Sequence, residues 1–193
     1  MSAPLLSSSR LVLRHWRSTD RKPFASMNAD SSVMQFFPSM LSTAQSDLFA
    51  ETQQIGLEQK KYGLWAVQLK DTNGSQDGTF IGFVGLSEPS WKAPFTPCIE
   101  IGWRLGRKHW GFGYVTEAAT EVLSYSFGLL GLAEIVSFTS VLNTRSLAVM
   151  ERLGMSRKFS EDFDHPRIEP GDALGPHALY RISSEEWAAQ SRS

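Results

Sequence analysis

The chain has 193 residues, for which one domain is the expectation, and its 41% hydrophobic content with 15 Gly and 9 Pro excludes bulk disorder and fibrous architecture. Nineteen Lys and Arg against twenty Asp and Glu leave a net charge of -1, which excludes the broad basic footprint of a nucleic-acid-binding protein. A chain of this length buries roughly 70% of its unfolded surface, so it folds without metal or disulfide support, and the single cysteine, Cys98, has no partner for an internal bridge.

Residues 1–9 carry no charged segment ahead of an apolar core, and no run reaches the roughly 20 apolar residues that span a bilayer, so a cytoplasmic protein away from membranes is expected. Residues 11–16 read as a first strand. Ser18 or Thr19 then caps a helix that begins near Asp20, with Pro23 tolerated in its first turn. A polar loop at 31–42 holds Phe36, Phe37 and Pro38, and a second helix covers 43–61. Strands at 64–69 and 79–86 form a hairpin, because the turn between them contains both Asn73-Gly74 and Asp77-Gly78. A strand at 98–105 follows a Pro-rich loop. The spacing of Val115, Ala118, Ala119, Val122 and Leu123 predicts a helix over 115–127, stopped by Gly128 and Gly131. A strand at 134–140, a short helix at 144–152, strands at 155–163 and 177–182, and a terminal helix capped by Ser183 or Ser184 complete the chain. About seven strands clustered before and after a central helix give an α/β chain of the α+β type, with a mixed, mostly antiparallel sheet.

The informative segment runs from Ile99 to Ala118 and reads strand, basic turn, Gly-x-Gly, helix. Glycines at a helix entrance let the backbone approach a ligand, and the unpaired N–H groups of the first turn make an anion site suited to phosphate or pyrophosphate. Arg104, Arg107, Lys108 and His109 add positive potential around it. A Walker loop is excluded because Gly113 is followed by Tyr114-Val115, and a dinucleotide fingerprint fits poorly because Thr116 stands where its third glycine belongs.

The run Lys108-His109-Trp110-Gly111-Phe112-Gly113 resembles the Gln/Arg-x-x-Gly-x-Gly/Ala pyrophosphate loop of the GNAT superfamily of acetyl-CoA-dependent N-acetyltransferases, with Lys108 replacing the usual first residue. Downstream, the run from Asn143 through Ser146 to Arg152-Leu153-Gly154-Met155 is similar to the Asn-x-x-Ser-x-x-x-x-x-Lys-Leu-Gly-Phe signature of the branch typified by ribosomal-protein-alanine N-acetyltransferases. The resemblance covers about 10–187 and implies a single-domain GNAT fold, whose sheet splays between the strands at 98–105 and 134–140 to admit acetyl-CoA. It implies that the pantetheine arm pairs with backbone at Trp103, Arg104 and Leu105. The pyrophosphate then meets Lys108 and the amides of Trp110, Gly111, Phe112, Gly113, Tyr114, Val115 and Thr116, while Asn143 holds the pantetheine side.

Transfer to an amine needs a proton acceptor for the amine and a proton for the departing thiolate. Many members of the superfamily place a Tyr where this chain has Met150, which leaves Ser146 either as a hydroxyl donor to the thiol side or as a residue that caps its helix. Glu100 is the leading base, since alternation sets it with Cys98 and Gly102 and opposite Ile99, Ile101 and Trp103; otherwise it is a paired or solvated glutamate. Glu117, in the first helical turn, is explained by the helix dipole. Trp65 reads as core, and Trp110 reads equally as core or cleft wall.

His15, His109, His165 and His177 have no metal-ligand spacing, so no metal is expected, and nothing activates Cys98 as a nucleophile. The implied partners are acetyl-CoA and an amine acceptor, a small molecule or a protein N-terminus, without nucleic acid; homodimers are common in that branch. The residues at 31–42 and 160–177 would wall the acceptor cleft. Glu161, Asp162, Asp164, Glu169 and Asp172 in the second segment would form an acidic rim suited to a cationic amine. The alternative function is a non-catalytic acyl-CoA-binding or regulatory module, which Met150 favours and Ser146 with Glu100 disfavours.

Overall fold

Apolar runs bounded by turn residues become nine strands in the computed structural model, which describes residues 2–71 and 78–190. They are β1 (Leu6–Ser7), β2 (Leu11–Arg14), β3 (Leu64–Leu69), β4 (Phe80–Ser87), β5 (Glu100–Leu105), β6 (Glu134–Ser140), β7 (Ser156–Arg157), β8 (Phe163–Asp164) and β9 (Pro176–Ser183). Five helices join them: α1 (Arg21–Asn28), α2 (Thr43–Gln59), α3 (Tyr114–Gly128), α4 (Thr144–Arg152) and α5 (Ser184–Gln190). The sheet has the order β1-β2-β3-β4-β5-β6-β9-β7, with β8 also on β9, and among these pairings β5–β6 alone is parallel. The mixed, mostly antiparallel sheet expected from sequence is therefore present.

It has more strands than the seven expected. β1 is too short for periodicity to reveal, and the strand expected at 155–163 breaks into β7 and β8 around a turn at Phe159–Glu161. An ion pair from Arg157 to Asp162 holds that turn. The strands β3 and β4 do form an antiparallel pair, with Leu64 opposite Gly85, while the Asn73-Gly74 turn falls outside the described residues.

Cross-strand pairs settle which helix covers which face, since directly opposed residues of an antiparallel pair share a face. Phe83 lies opposite Arg104 and packs 6.1 Å from Phe24 of α1 and 5.4 Å from Phe49 of α2. Val84 lies opposite both Trp65 and Trp103, and Trp65 meets Tyr125 of α3 edge-on at 6.0 Å. Accordingly α1 and α2 cover one face and α3 the other. On β5, Glu100, Gly102 and Arg104 look toward α1 and α2, and Ile101 and Trp103 toward α3. The alternation expected for Glu100 and Gly102 holds.

Local chemistry sets the helix starts. Ser42 and Gln45 cap each other reciprocally at α2, and Ser183, rather than Ser184, makes the same exchange with Glu186 at α5. Neither Ser18 nor Thr19 caps α1. The buried Asp20 organises that corner instead, taking both ends of the Arg14 guanidinium at 2.7 and 2.8 Å and the Arg17 N–H at 2.8 Å.

Glu117 does more than meet a helix dipole. Its carboxylate accepts from Ser8 Oγ (2.7 Å), Ser9 Oγ (3.0 Å), the Arg10 N–H (2.9 Å) and Arg10 Nε (2.6 Å), fastening the segment between β1 and β2 to the start of α3. Burial alone would raise its pKa, but these hydrogen bonds outweigh burial and hold it below the usual carboxylate value. A depressed folded pKa contributes stability that is present above the unfolded value and lost as pH falls through the folded one. Glu117→Gln is expected to lower stability at pH 7 by about 1.5–3 kcal/mol, the scale of hydrogen bonds to a charged group. In urea titrations, that gap closes as pH falls below about 4.5, the ordinary glutamate value.

Candidate active site

The single registered pair Glu100 and Val136 is all that joins β5 to β6 as strands. Just before it Val136 N–H donates to Ile99 O at 2.9 Å, and just after it the Ser137 hydroxyl donates to Ile101 O at 2.9 Å. The strands then diverge. Gly106 N–H reaches Ile81 O of β4 at 3.0 Å, so the period of two turns the Arg104 backbone toward β4 as well. The carbonyls of Ile101 and Leu105 point the other way, and the Trp110 indole caps Leu105 O at 2.8 Å. Between these capped carbonyls, Trp103 presents its backbone to the gap with no strand opposite. Arg104 enters the site by its side chain, not its backbone, contrary to the expectation that Trp103, Arg104 and Leu105 form one pairing edge.

The gap opens into a cleft of about 910 Å³ that continues to the start of α3. Gly111 and Gly113 there adopt φ of +82° and +79°, the left-handed region that glycine enters without strain. No side chain caps α3, and its first intrahelical bond runs from Glu117 N–H to Gly113 O, so the N–H groups of residues 114–116 precede the ladder and are free for an anion. Trp110, Gly111, Gly113, Tyr114, Val115 and Thr116 line the cleft. Lys108 and Phe112 do not; both are exposed, and Phe112 stacks on Tyr114 at 5.6 Å. His109 adds no charge at neutral pH, because burial and then Lys108 lower its pKa. The sequence reading missed Arg10, whose guanidinium stands over the Tyr114 ring at 4.6 Å beside this loop. It also missed Arg145, 4.4 Å from the Trp110 ring. Arg10 comes from a remote segment that carries no motif, whereas Arg145 stands inside the Asn143–Ser146 run at a position its signature leaves open.

Asn143, not Ser146, caps α4, its Oδ1 accepting from the Ser146 N–H at 3.3 Å. The Asn143 amide also donates to Thr139 Oγ1 and to Ser146 Oγ, both at 3.0 Å. Ser146 Oγ takes a second hydrogen bond from Trp103 Nε1 at 3.3 Å. A serine oxygen has two lone pairs, and with both engaged its proton is left to donate. Met150 is buried and offers no proton. Glu100 also lines the cleft, accepting from Ser87 Oγ at 3.3 Å; burial pushes its pKa up to about 8 against that bond. The site thus holds a neutral carboxyl at pH 7 and a hydroxyl whose proton is left to donate.

Past Glu100 the wall is aromatic, with Phe138, His165 and His177 lining the cleft. His177 Nδ1 donates to Gly175 O at 2.9 Å, which leaves Nε2 as an acceptor, and His165 Nδ1 accepts from the Arg167 N–H at 3.2 Å. Burial first, then the neighbouring His177 and Arg167, bring His165 down to about 4, and burial lowers His177. Both rings are neutral at pH 7. The acidic rim expected from 160–177 does not form: Glu161 and Asp162 pair with Arg181 and Arg157, and among the described residues Glu100 is the one carboxylate lining the cleft. Alternating charges in a loop cannot reveal which will be consumed by neighbouring strands. Cys98 is no nucleophile, since burial and then Glu100 push its thiol up to about 11. Among the described residues no cluster suits a metal ion, and no helix is long and apolar enough to cross a membrane.

A family model described as an acetyltransferase (GNAT) domain matches residues 10–156. The chain is similar to the FsC-acetyl coenzyme A-N(2)-transacetylase of Aspergillus fumigatus, 35% identical over 132 residues that make up 65% of this chain and 52% of that relative, so it spans about half of the relative's length. It is similar to the uncharacterized N-acetyltransferase YnaD of Bacillus subtilis, 26% identical over 182 residues, or 94% of this chain and 98% of YnaD. Among solved structures, a GNAT-family acetyltransferase from Bacillus anthracis shares the fold, with a TM-score of 0.75 at 24% identity, covering 94% of this chain and 99% of that one.

The loop glycines are required by backbone conformation rather than crowding. A Cβ on Gly111 meets nothing within 4 Å, and one on Gly113 comes no nearer than 3.7 Å to Arg10. Gly111→Ala and Gly113→Ala are each expected to lower unfolding free energy by about 1–2 kcal/mol, the left-handed penalty for a residue with a Cβ. Urea denaturation measures it, and a cost near zero would mean that the loop leaves this conformation.

Proposed function

The chain belongs to the GNAT family of acetyltransferases, and from there we propose that it moves the acetyl group of acetyl-CoA to a primary amine by direct attack in a ternary complex. The observation that carries this reading is the unpaired β5 edge at Trp103, which leads along the cleft to the free amides at the start of α3. In this reading the pantetheine arm lies against the Trp103 backbone and beside Asn143, and the pyrophosphate lies on the amides from Gly111 to Thr116, the expected Trp110 N–H being taken by Arg107 O. The domain is a single N-acetyltransferase unit with its core at about 10–187, cytoplasmic and without a nucleic-acid partner. A cleft whose one lining carboxyl is neutral disfavours a polycationic small amine as the acceptor.

The amine lone pair attacks the thioester carbonyl, the C–S bond breaks, and the thiolate leaves. Glu100 in its ionised form takes the proton from the amine, and Ser146, whose oxygen already accepts from Trp103 and Asn143, donates a hydrogen bond that stabilises the departing thiolate, which is then protonated from solvent. The two residues approach the gap from opposite faces of the sheet, so each attends to one side of the reacting carbon. The non-catalytic alternative rests on Met150 alone, and Ser146 supplies the hydrogen bond that Met150 lacks.

Acetyl-CoA at 100 times its Kd is expected to stabilise the protein by about 2.7 kcal/mol, read as a rise in thermal midpoint. Absence of any rise in a folded sample would remove the cofactor assignment. Because the Glu100 carboxyl is held neutral up to about 8, turnover should rise with pH through that value as the carboxylate forms. Glu100→Gln is expected to flatten this limb and lower kcat roughly 100-fold, with acetyl-CoA affinity near that of the parent. Ser146→Ala is expected to lower kcat by roughly 10- to 100-fold, coenzyme A thiolate being a tolerable leaving group, while the Asn143 cap keeps the thermal midpoint close to the parent's. Unchanged turnover in both variants would move the proton path to water and backbone.

A further inference from the structure

A charged side chain on the cleft wall lacks a counter-charge. Arg104 extends from the β5 face covered by α1 and α2, and it lines the cleft together with Phe37 and Phe83. Its guanidinium stands 4.1 Å from the Phe37 ring and 5.5 Å from the Phe83 ring. Nη1 donates to Asn28 Oδ1 at 2.7 Å, while Nε is enclosed with no hydrogen-bond partner. Among the described residues no carboxylate pairs with it. The other interior arginine shows the contrast, because Arg14 holds Asp20 with two nitrogens and Gln68 with the third.

Burial lowers the Arg104 pKa only to about 10, so the group stays charged at neutral pH. An enclosed charge is strongly unfavourable until something of opposite sign meets it. The protein also fixes the group from behind. Asn28 is fully buried, its Nδ2 donates to Ser46 Oγ at 3.0 Å, and Ser46 Oγ donates to Ser42 O at 2.9 Å. With its nitrogen committed to α2, Asn28 turns its oxygen to Arg104 and leaves the Nε and Nη2 edge without an acceptor. That edge has the fork geometry that a carboxylate accepts from.

On the reading of this chain as an N-acetyltransferase, we propose that the acceptor is a primary amine that also carries a carboxylate, which Arg104 binds while the amine lies toward Glu100. Both side chains leave the same face of β5, four residues apart, on the order of 13 Å between Cα atoms. With each reaching inward, the space between suits an amino acid or a short peptide. One guanidinium with one free edge matches a singly charged planar group, whereas the free amides for phosphate lie at the start of α3. The other charged groups on the cleft wall are Arg145 and Arg152, which disfavour a polyamine.

The test uses primary amines of one chain length ending in carboxylate, carboxamide, phosphate or ammonium, assayed by thiol release with the parent, Arg104→Met and Arg104→Lys. The parent is expected to prefer the carboxylate over the carboxamide by roughly 10- to 100-fold in kcat/KM, Arg104→Met to lose that preference, and Arg104→Lys to recover part of it. An amine-free monocarboxylate of the same length should raise the thermal midpoint of the parent and not that of Arg104→Met, which reads the site without turnover. Arg104→Met removes an enclosed charge but leaves Asn28 Oδ1 without its donor, so the monocarboxylate shift of each variant is read against that variant's own ligand-free midpoint. Preference for the carboxamide, phosphate or ammonium member overturns the proposal, as does an equal monocarboxylate shift in both proteins. Weakened acetyl-CoA binding in Arg104→Met would place the anion on the cofactor and overturn it too. Failure of acetyl-CoA to shift the parent, with no turnover on any amine, overturns the acetyltransferase reading instead, and the monocarboxylate shift still judges Arg104.

Discussion

Between Glu100 and Val136 two antiparallel halves of the sheet meet through one registered parallel pair, and the strands then part. Each half is complete on its own side: β5 is paired along its length with β4, and β6 with β9. Neither strand can turn to close the gap without giving up its existing ladder. The backbone groups left on the β5 edge must therefore be met by something other than a strand, since buried main-chain polar groups rarely go unpaired. The Ser137 hydroxyl and the Trp110 indole serve two of them, and what remains at Trp103 is an extended stretch of donor and acceptor suited to the amides of a pantetheine arm.

The same gap lets the two faces of the sheet work on one atom. Ser146 meets Trp103 on the α3 side, and Glu100 and Arg104 stand on the side of α1 and α2. On the proposed reading, a thioester lying in the gap meets Ser146 from one face and the incoming amine from the other. Phe138 and the neutral rings of His165 and His177 line the cleft beyond Glu100. The environment that raises the Glu100 pKa also strips the fixed negative charge from the cleft at neutral pH. Arginines set its potential, which draws in an anionic cofactor.

Rigidity behind the cleft comes from polar clamps rather than from the aromatic core alone. Asp20 with Arg14 fixes the corner entering α1, Glu117 ties the first strands to α3, and the chain from Ser42 through Ser46 and Asn28 orients Arg104. Asp20 and Glu117 are each satisfied through several hydrogen bonds, the condition under which a buried polar group supports a fold rather than weakening it, whereas Arg104 keeps one. The Glu117 and Asn28 clamps also join segments far apart in the chain.

The sequence by itself determined the order and type of the elements, because the periods of 2 and 3.6 and the turn residues are local properties. It also determined the anion loop, since Gly111 and Gly113 before an amphipathic helix carry their conformational meaning without reference to the rest of the chain. The setting of Asn143 and Ser146 at the start of α4 is local in the same way, although which of them caps and which donates depends on Trp103, some forty residues earlier. Only the tertiary structure decided the rest. Whether Glu100 is neutral, whether the acids at 160–177 reach the cleft, and whether Arg104 has a partner depend on which remote groups come within hydrogen-bond distance. The charge pattern gave the opposite expectation for that loop, because Arg157 and Arg181, which consume Asp162 and Glu161, reach it only through strand pairing and a local turn. Backbone preference is written residue by residue, whereas pKa, burial and charge balance belong to assembled neighbourhoods.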